Sequence, residues 1–127
     1  MAELLDAIRG FLEAEVMPGL DGRKQFHTRV AVNVLAIVGR ELALEDAHLA
    51  AEWRRLDELL GASPMPEKGD PLRAAIRARS ESLCELIRRG DADEGELARR
   101  VLDHVRQTVR EKLAIANPKL LAAGGQS

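Results

Sequence analysis

Hydrophobic positions recur along this chain with the period of an α-helix, and prolines, glycines and capping residues interrupt the pattern. The predicted helices cover about residues 2–17, 22–44, 45–60, 70–89 and 94–116. The connections between them are short, which is typical of antiparallel neighbours. The pattern therefore predicts an all-α fold, a five-helix bundle.

The second predicted helix, about 22–44, is apolar around most of its circumference. Its hydrophobic residues are Phe26, Val30, Ala31, Val32, Val34, Leu35, Ile37, Val38 and Leu42. Such a helix is typical of the centre of a bundle, so we expect it to be the central apolar helix. Because few elements remain to cover it, we also expect one stripe to be covered by a second copy, which predicts a homodimer.

The other predicted helices are amphipathic, and each is expected to turn one face towards the core. For 94–116 the expected inward residues are Leu97, Val101, Leu102, Val105, Val109, Leu113 and Ala116. Asn117-Pro118 is expected to end this helix because proline cannot continue the hydrogen-bond ladder. We therefore expect a single helical domain over 1–118, followed by a flexible C-terminal tail over 119–127.

Composition narrows the function classes. The 127 residues are 46% hydrophobic and 31% charged, which is an ordinary balance for a folded domain. A net charge of -2 and an aromatic content of 2% disfavour nucleic acid as a partner. The N-terminal segment lacks the pattern of a signal peptide, and no apolar run reaches the length of a membrane span. We therefore expect a cytoplasmic protein without a membrane partner.

Catalytic and metal-binding motifs are missing from the sequence. His, Cys and carboxylate residues show neither HExxH nor CxxC spacing, and neither a phosphate-binding glycine loop nor a nucleophile elbow is present. The single cysteine, Cys84, is expected to be a small core residue. We expect no catalytic residue, no metal and no cofactor, and the lack of these motifs disfavours a catalytic activity of the chain's own.

Seven polar side chains fall on apolar helix faces when each helix is drawn at about 100° per residue. They are Glu15, Arg23, His27, Asn33, Glu41, Arg79 and Lys112. Burying a charge is costly unless it is paired, so acids and bases on facing stripes are expected to meet. The predicted structural ion pairs are Glu15 with Arg79 and Glu41 with Lys112.

Two interpretations of these side chains stay open. In the first, they form a closed network that fixes the register of the helices. In the second, some of them line a polar cleft between the helices 22–44 and 94–116 and bind an anion. The candidate ligand-binding residues are Arg23, His27, Asn33, Arg79 and Lys112. Histidine is the commonest general base, but His27 stands alone on its face, which disfavours catalysis.

Two segments resemble an uncharacterised bacterial helical domain family. They are FLEAEVMPGLDGRKQFHTRVAVNVLAIVGREL at 11–42 and REKLAIANPKLL at 110–121. That family, a domain of unknown function, occurs beside or C-terminal to aminoglycoside-phosphotransferase-like kinases and near acyl-CoA dehydrogenases. The resemblance implies a setting in acyl-CoA or related acid metabolism and brings no catalytic residues.

Two functions follow as hypotheses. The first is a non-catalytic accessory or interaction domain that associates with a phosphotransferase-like or acyl-CoA-metabolising partner. The alternative is a small protein that binds an anionic metabolite, such as acyl-CoA or a nucleotide, in the polar cleft.

Overall fold

The structure is a computed structural model that describes residues 1–124, and it confirms the all-α fold class. The described residues contain five α-helices and no strand. The helices are α1, Ala2–Phe11; α2, Gly22–Leu60; α3, Asp70–Arg88; α4, Gly95–Ala116; and α5, Pro118–Gly124.

Three of the predicted helices differ from the observed ones. The predicted helix 2–17 is α1 followed by a π-helical turn, Leu12–Val16, and a 3-10 turn, Met17–Gly19. The predicted helices 22–44 and 45–60 are one helix, α2. Residues 42–47 contain neither glycine nor proline, so nothing in the backbone ends the hydrogen-bond ladder there.

The C-terminal end also differs from the expectation. Pro118 begins the short helix α5 where a tail from residue 119 was expected, because proline is tolerated in the first turn of a helix. The last part of that predicted tail, 125–127, lies outside the described residues.

The chain forms two compact units. Unit 1 comprises residues 1–45 and the described part of 114–127, and unit 2 comprises residues 46–113. The boundaries fall inside α2 and inside α4, so each of these helices contributes to both units. The single domain expected over 1–118 stays a prediction.

Unit 2 contains the hydrophobic core. Its buried members come from the second half of α2, from α3 and from α4: Trp53, Leu56, Leu72, Ile76, Leu83 and Val101. Leu56 and Leu72 are almost completely buried. Leu49, Leu59 and Leu60, also in the second half of α2, pack against this core.

The segment 22–44 is less covered by other elements than its apolar pattern predicts. Val32 is buried, but five large hydrophobic residues of this segment are exposed: Phe26, Val30, Val34, Val38 and Leu42. In α4, Leu102, Val105 and Val109 are likewise exposed where they were expected to face inward. Hydrophobic periodicity locates an apolar face, but only the packing of other elements decides whether that face is covered.

Candidate functional site

An apolar stripe runs along the unit 1 part of α2. Phe26, Val30, Val34, Val38 and Leu42 recur every four residues and are 59, 43, 51, 36 and 57% exposed. At about 100° per residue, this stripe winds slowly along one side of the helix. Arg23, His27 and Glu41 are exposed polar residues on the same side. We call these eight residues the α2 face.

The sequence placed Arg23, His27 and Glu41 on an apolar face correctly, but it was wrong in expecting that face to be covered. All three side chains are exposed. The His27 ring contacts the ring of Phe26 edge-on, with 5.7 Å between centroids. A large exposed apolar patch rimmed by polar residues is typical of a protein interaction surface.

The remaining candidate ligand-binding residues are not part of the α2 face. Asn33 and Lys112 are exposed, and only Arg79 is partly buried. Burial raises the pKa of the Glu52 carboxyl, and the nearby charge of Lys112 partly opposes that rise. The predicted pair of Glu41 with Lys112 stays a prediction.

Arg79 has a different partner from the one expected. Its Nη1 donates to Asp57 Oδ1 at 2.6 Å, its Nη2 donates to the Gly61 carbonyl, and the guanidinium lies 4.6 Å from the centroid of Trp53. Glu15, the predicted partner, is exposed. The Arg79 guanidinium lies over the Trp53 indole and is held there by the Asp57 carboxylate. These contacts stabilise the end of α2 against α3, so the role of Arg79 is structural.

A part-buried polar network lies in unit 2, centred on Arg55 of α2. Its Nη2 donates to Glu111 Oε1 at 2.6 Å and to Thr108 Oγ1 at 3.1 Å, and its Nε donates to His104 Nδ1 at 3.2 Å. The three acceptors share one side of α4 because they are spaced four and three residues apart. His104 is only 6% exposed. We call these four residues the Arg55 network.

Electrostatics fix the protonation of this network. Burial lowers the pKa of His104, the nearby Arg55 charge lowers it further, and Glu111 opposes both. A neutral imidazole that accepts at Nδ1 carries its proton on Nε2. Burial also raises the pKa of the neighbouring Glu52, against the charges of Lys112 and Arg55. His104 is therefore neutral at pH 7 and acts as a hydrogen-bond acceptor for Arg55.

Sequence reasoning missed the Arg55 network. It assigned the inward face of α4 to Leu102, Val105 and Val109, whereas His104, Thr108 and Glu111 lie inward. The signal was present in their spacing, which continues the buried series from Leu97 and Val101. It was overlooked because polar residues are assigned outward unless a partner for them is known.

A cavity of about 300 Å³ adjoins the Arg55 network. Two arginines, Arg55 and Arg100, line it together with two acids, Glu58 and Asp103, and with His104 and Gln107. Acids and bases nearly balance in this lining, so it has no clear preference for the charge of a ligand. The described residues contain no group of three His, Cys, Asp or Glu side chains that could hold a metal ion.

Cys84 is exposed, so its expected place in the core is wrong. It lies directly after the buried Leu83 of α3 and therefore points to another side of that helix. Within the described residues, no helix combines the length and the apolar character needed to cross a membrane.

The chain matches a family model described as a domain of unknown function, DUF6285, over residues 18–120. This match spans most of the 127 residues. The chain belongs to the DUF6285 family. No curated protein and no solved structure matches it.

The DUF6285 match covers the α2 face and the Arg55 network and begins after α1. The expected likeness to a helical domain of unknown function is thereby confirmed.

Proposed function

We propose that this DUF6285 chain is a non-catalytic interaction domain that forms a homodimer through the α2 face. The observation that carries the proposal is the exposure of five large hydrophobic residues in one stripe. Isolated exposed hydrophobic residues are common on soluble proteins, but a continuous stripe along a helix is not.

The area of the α2 face suits a weak dimer. The exposed parts of its five hydrophobic residues amount to on the order of 400 Å² per chain. A dimer would bury this apolar surface on both copies, about 800 Å² in total. If about two-thirds of the interface is apolar, the whole interface buries about 1,200 Å², which is the lower end for specific complexes. We therefore expect dissociation in the micromolar range.

Charge complementarity favours an antiparallel pairing of two α2 helices. Around a two-fold axis beside position 32, Val30 faces the partner's Val34, and Arg23 faces the partner's Glu41. The residue numbers of each facing pair average 32, so every contact occurs twice, once from each copy. The same patch on both copies therefore forms the interface, as a two-fold dimer requires. Glu41 also takes part in a polar interaction within its own chain, and a carboxylate can accept from more than one donor.

A parallel pairing is disfavoured by the same residues. It would place Arg23 against the partner's Arg23 and Glu41 against the partner's Glu41, and like charges at facing positions repel. The two arrangements bury similar apolar surface, so the charges decide between them.

We further propose that the homodimer is an accessory to a phosphotransferase-like or acyl-CoA-metabolising enzyme in the bacterial cytoplasm. This part rests on the resemblance of 11–42 and 110–121 to the domain family found beside such enzymes. The face of α2 that would be closed in the dimer is then unavailable to the enzyme, which would bind another surface.

The second candidate function is binding of an anionic metabolite, for which the sequence suggested Arg23, His27, Asn33, Arg79 and Lys112. One observation favours it: Asn33 lines a cavity in unit 1 that is rich in cationic side chains. The notion of a cleft shared by all five residues stays a proposal.

The homodimer is tested by Val34→Asp. A carboxylate at the centre of the α2 face would be desolvated in the dimer, so we expect at least about a tenfold weaker association. Light scattering over a concentration series measures the dissociation constant. Val109→Asp is the matched control, because Val109 is 49% exposed on a helix of unit 2 and Val34 is 51% exposed.

The wild-type chain and V109D should form dimers with the same affinity while V34D remains monomeric at the same concentrations. A wild-type chain that stays monomeric to about millimolar concentration would overturn the proposal. Equal weakening by both substitutions would also overturn it, because the effect would then not be specific to the α2 face.

A further inference from the structure

A second cavity lies within unit 1 and differs in character from the one beside the Arg55 network. Its volume is about 470 Å³, which is in the range of small-molecule sites. Its polar lining consists of Arg9, Asn33, Arg40, Asn117 and Lys119. No acidic residue is among the described residues that line it. We call it the unit 1 cavity.

Arg9 lines this cavity and is only loosely held by its own neighbours. Its Nε is buried and has no hydrogen-bond partner among the described residues. Its other nitrogens make only long contacts, Nη1 to Asp6 at 3.3 Å and Nη2 to Glu13 at 3.9 Å. Because these contacts are long, the Nη1 and Nη2 groups can also donate to a ligand in the cavity.

Arg40, which also lines the cavity, is held in place by a backbone carbonyl. Its Nε donates to the carbonyl of Ile115 at 2.7 Å, near the C-terminal end of α4. This bond uses one of the five N–H donors of a guanidinium. Arg40 therefore has both a structural role at the helix end and donors left for a ligand.

The lining combines three cations with two amides and an apolar portion. The carboxylates of Asp6 and Glu13 offset part of the charge of Arg9, while Lys119 and Arg40 have no acidic neighbour in the lining. Ile37 and Pro118 supply apolar surface beside these groups. Such a set suits a doubly charged anion that carries a small apolar group.

We propose that the unit 1 cavity binds the phosphate group of a small phosphate monoester. Arg9, Arg40 and Lys119 pair with its oxygens, the amides of Asn33 and Asn117 donate to them, and the ester group lies against Ile37 and Pro118. A phosphate is favoured over a carboxylate because its second charge and third oxygen use all three cations. This proposal deepens the second candidate function and does not depend on the homodimer.

The test is a titration of the full chain, labelled with nitrogen-15, with phenyl phosphate at constant ionic strength. We expect saturable shifts of the backbone amide signals of Asn33, Ile37 and Lys119. Benzoate, which keeps the ring and carries a single charge, should bind at least about threefold more weakly. Arg40→Met should weaken phenyl phosphate binding by about tenfold.

Two further variants keep the result decisive. Lys119→Gln removes an exposed cation, should leave the fold intact and should weaken binding by about threefold. Arg106→Met removes an exposed arginine that does not line the cavity and should change nothing. Light scattering on R40M and K119Q should give the wild-type dimer affinity, which separates this proposal from that of the α2 face.

Several results would overturn the proposal. Benzoate binding as tightly as phenyl phosphate would exclude a phosphate site. Equal weakening by R106M, or shifts spread over all arginine-bearing surfaces, would mean non-specific ion binding. Absence of saturation below about 10 mM would exclude a site of useful affinity.

Discussion

Glu111 illustrates how a single buried residue can govern stability. Its side chain is 11% exposed and accepts from Arg55 at 2.6 Å. Glu111→Gln leaves the Arg55 charge without its counterion, so we expect the free energy of unfolding to fall by about 2 kcal/mol in urea denaturation. Glu96→Gln, which breaks an exposed pair with Arg99, is the control and should cost well under 1 kcal/mol. Similar losses in both variants would show that burial of the pair contributes little.

His104 predicts a dependence of stability on pH. Its pKa in the folded chain is lowered by burial and by Arg55, while in the unfolded chain it stays near the ordinary 6.5. Below about pH 6.5 the unfolded chain binds a proton that the folded chain does not. Above about pH 6.5 His104 is neutral in both states and does not reduce the free energy of unfolding. As the pH drops below about 6.5 towards the folded pKa, proton binding to the unfolded chain lowers that free energy.

The variant His104→Asn keeps an acceptor for Arg55 but cannot titrate, so it should lose the decline in stability that begins below about pH 6.5. Urea denaturation at a series of pH values measures this. Glu52 acts in the opposite direction, because a raised carboxyl pKa destabilises the fold at higher pH and is relieved as the pH falls. Glu52→Gln separates the two effects. An unchanged slope in H104N would exclude His104 as its source.

At the scale of elements, helix boundaries were predicted well where a proline, a glycine or a capping residue marks the end or the start of a helix. Asp70-Pro71 begins α3, Gly90 follows its end, and Pro118 follows α4, so the predictions of 70–89 and 94–116 came close to the structure. Between the predicted helices 22–44 and 45–60 no such residue exists, and the helix continues. Local chemistry ends helices, whereas a change in the apolar pattern does not.

The α2 face gives a prediction at the level of a helix pair. In an antiparallel dimer, Arg23→Glu places an acid opposite the partner's Glu41 at both ends of the interface. Glu41→Arg likewise places a cation opposite the partner's Arg23. Each substitution should weaken the dimer by about tenfold, and the double variant should regain affinity to within about threefold of wild type. Sedimentation equilibrium measures these constants.

Arg29→Glu is the control for this exchange, because Arg29 is exposed on α2 but lies off the α2 face. It should leave the dimer unchanged. Circular dichroism shows whether E41R keeps its helix content, since Glu41 also has an interaction within its chain. If the double variant stays as weak as the single ones, the antiparallel register is wrong even where a dimer exists.

At the scale of the whole molecule, burial is unevenly divided between the two units. Unit 2 contains a hydrophobic cluster that joins three helices and has the Arg55 network beside it. Among the described residues of unit 1, Val32 is the buried hydrophobic one, while a row on α2 and others on α1, such as Leu4 and Phe11, are exposed. A unit with so little buried apolar surface gains stability from any surface that covers it, which is the physical motive for association.

The sequence by itself determined the all-α class, the ends of helices at proline and glycine, and the apolar side of α2 on which Arg23, His27 and Glu41 lie. These features depend on the period of a helix and on backbone chemistry within a few residues. Only the tertiary structure decided that this side is exposed, that Arg79 pairs with Asp57, and that His104 is buried with Arg55. Those outcomes depend on which surfaces meet across long stretches of chain, and no local pattern records that.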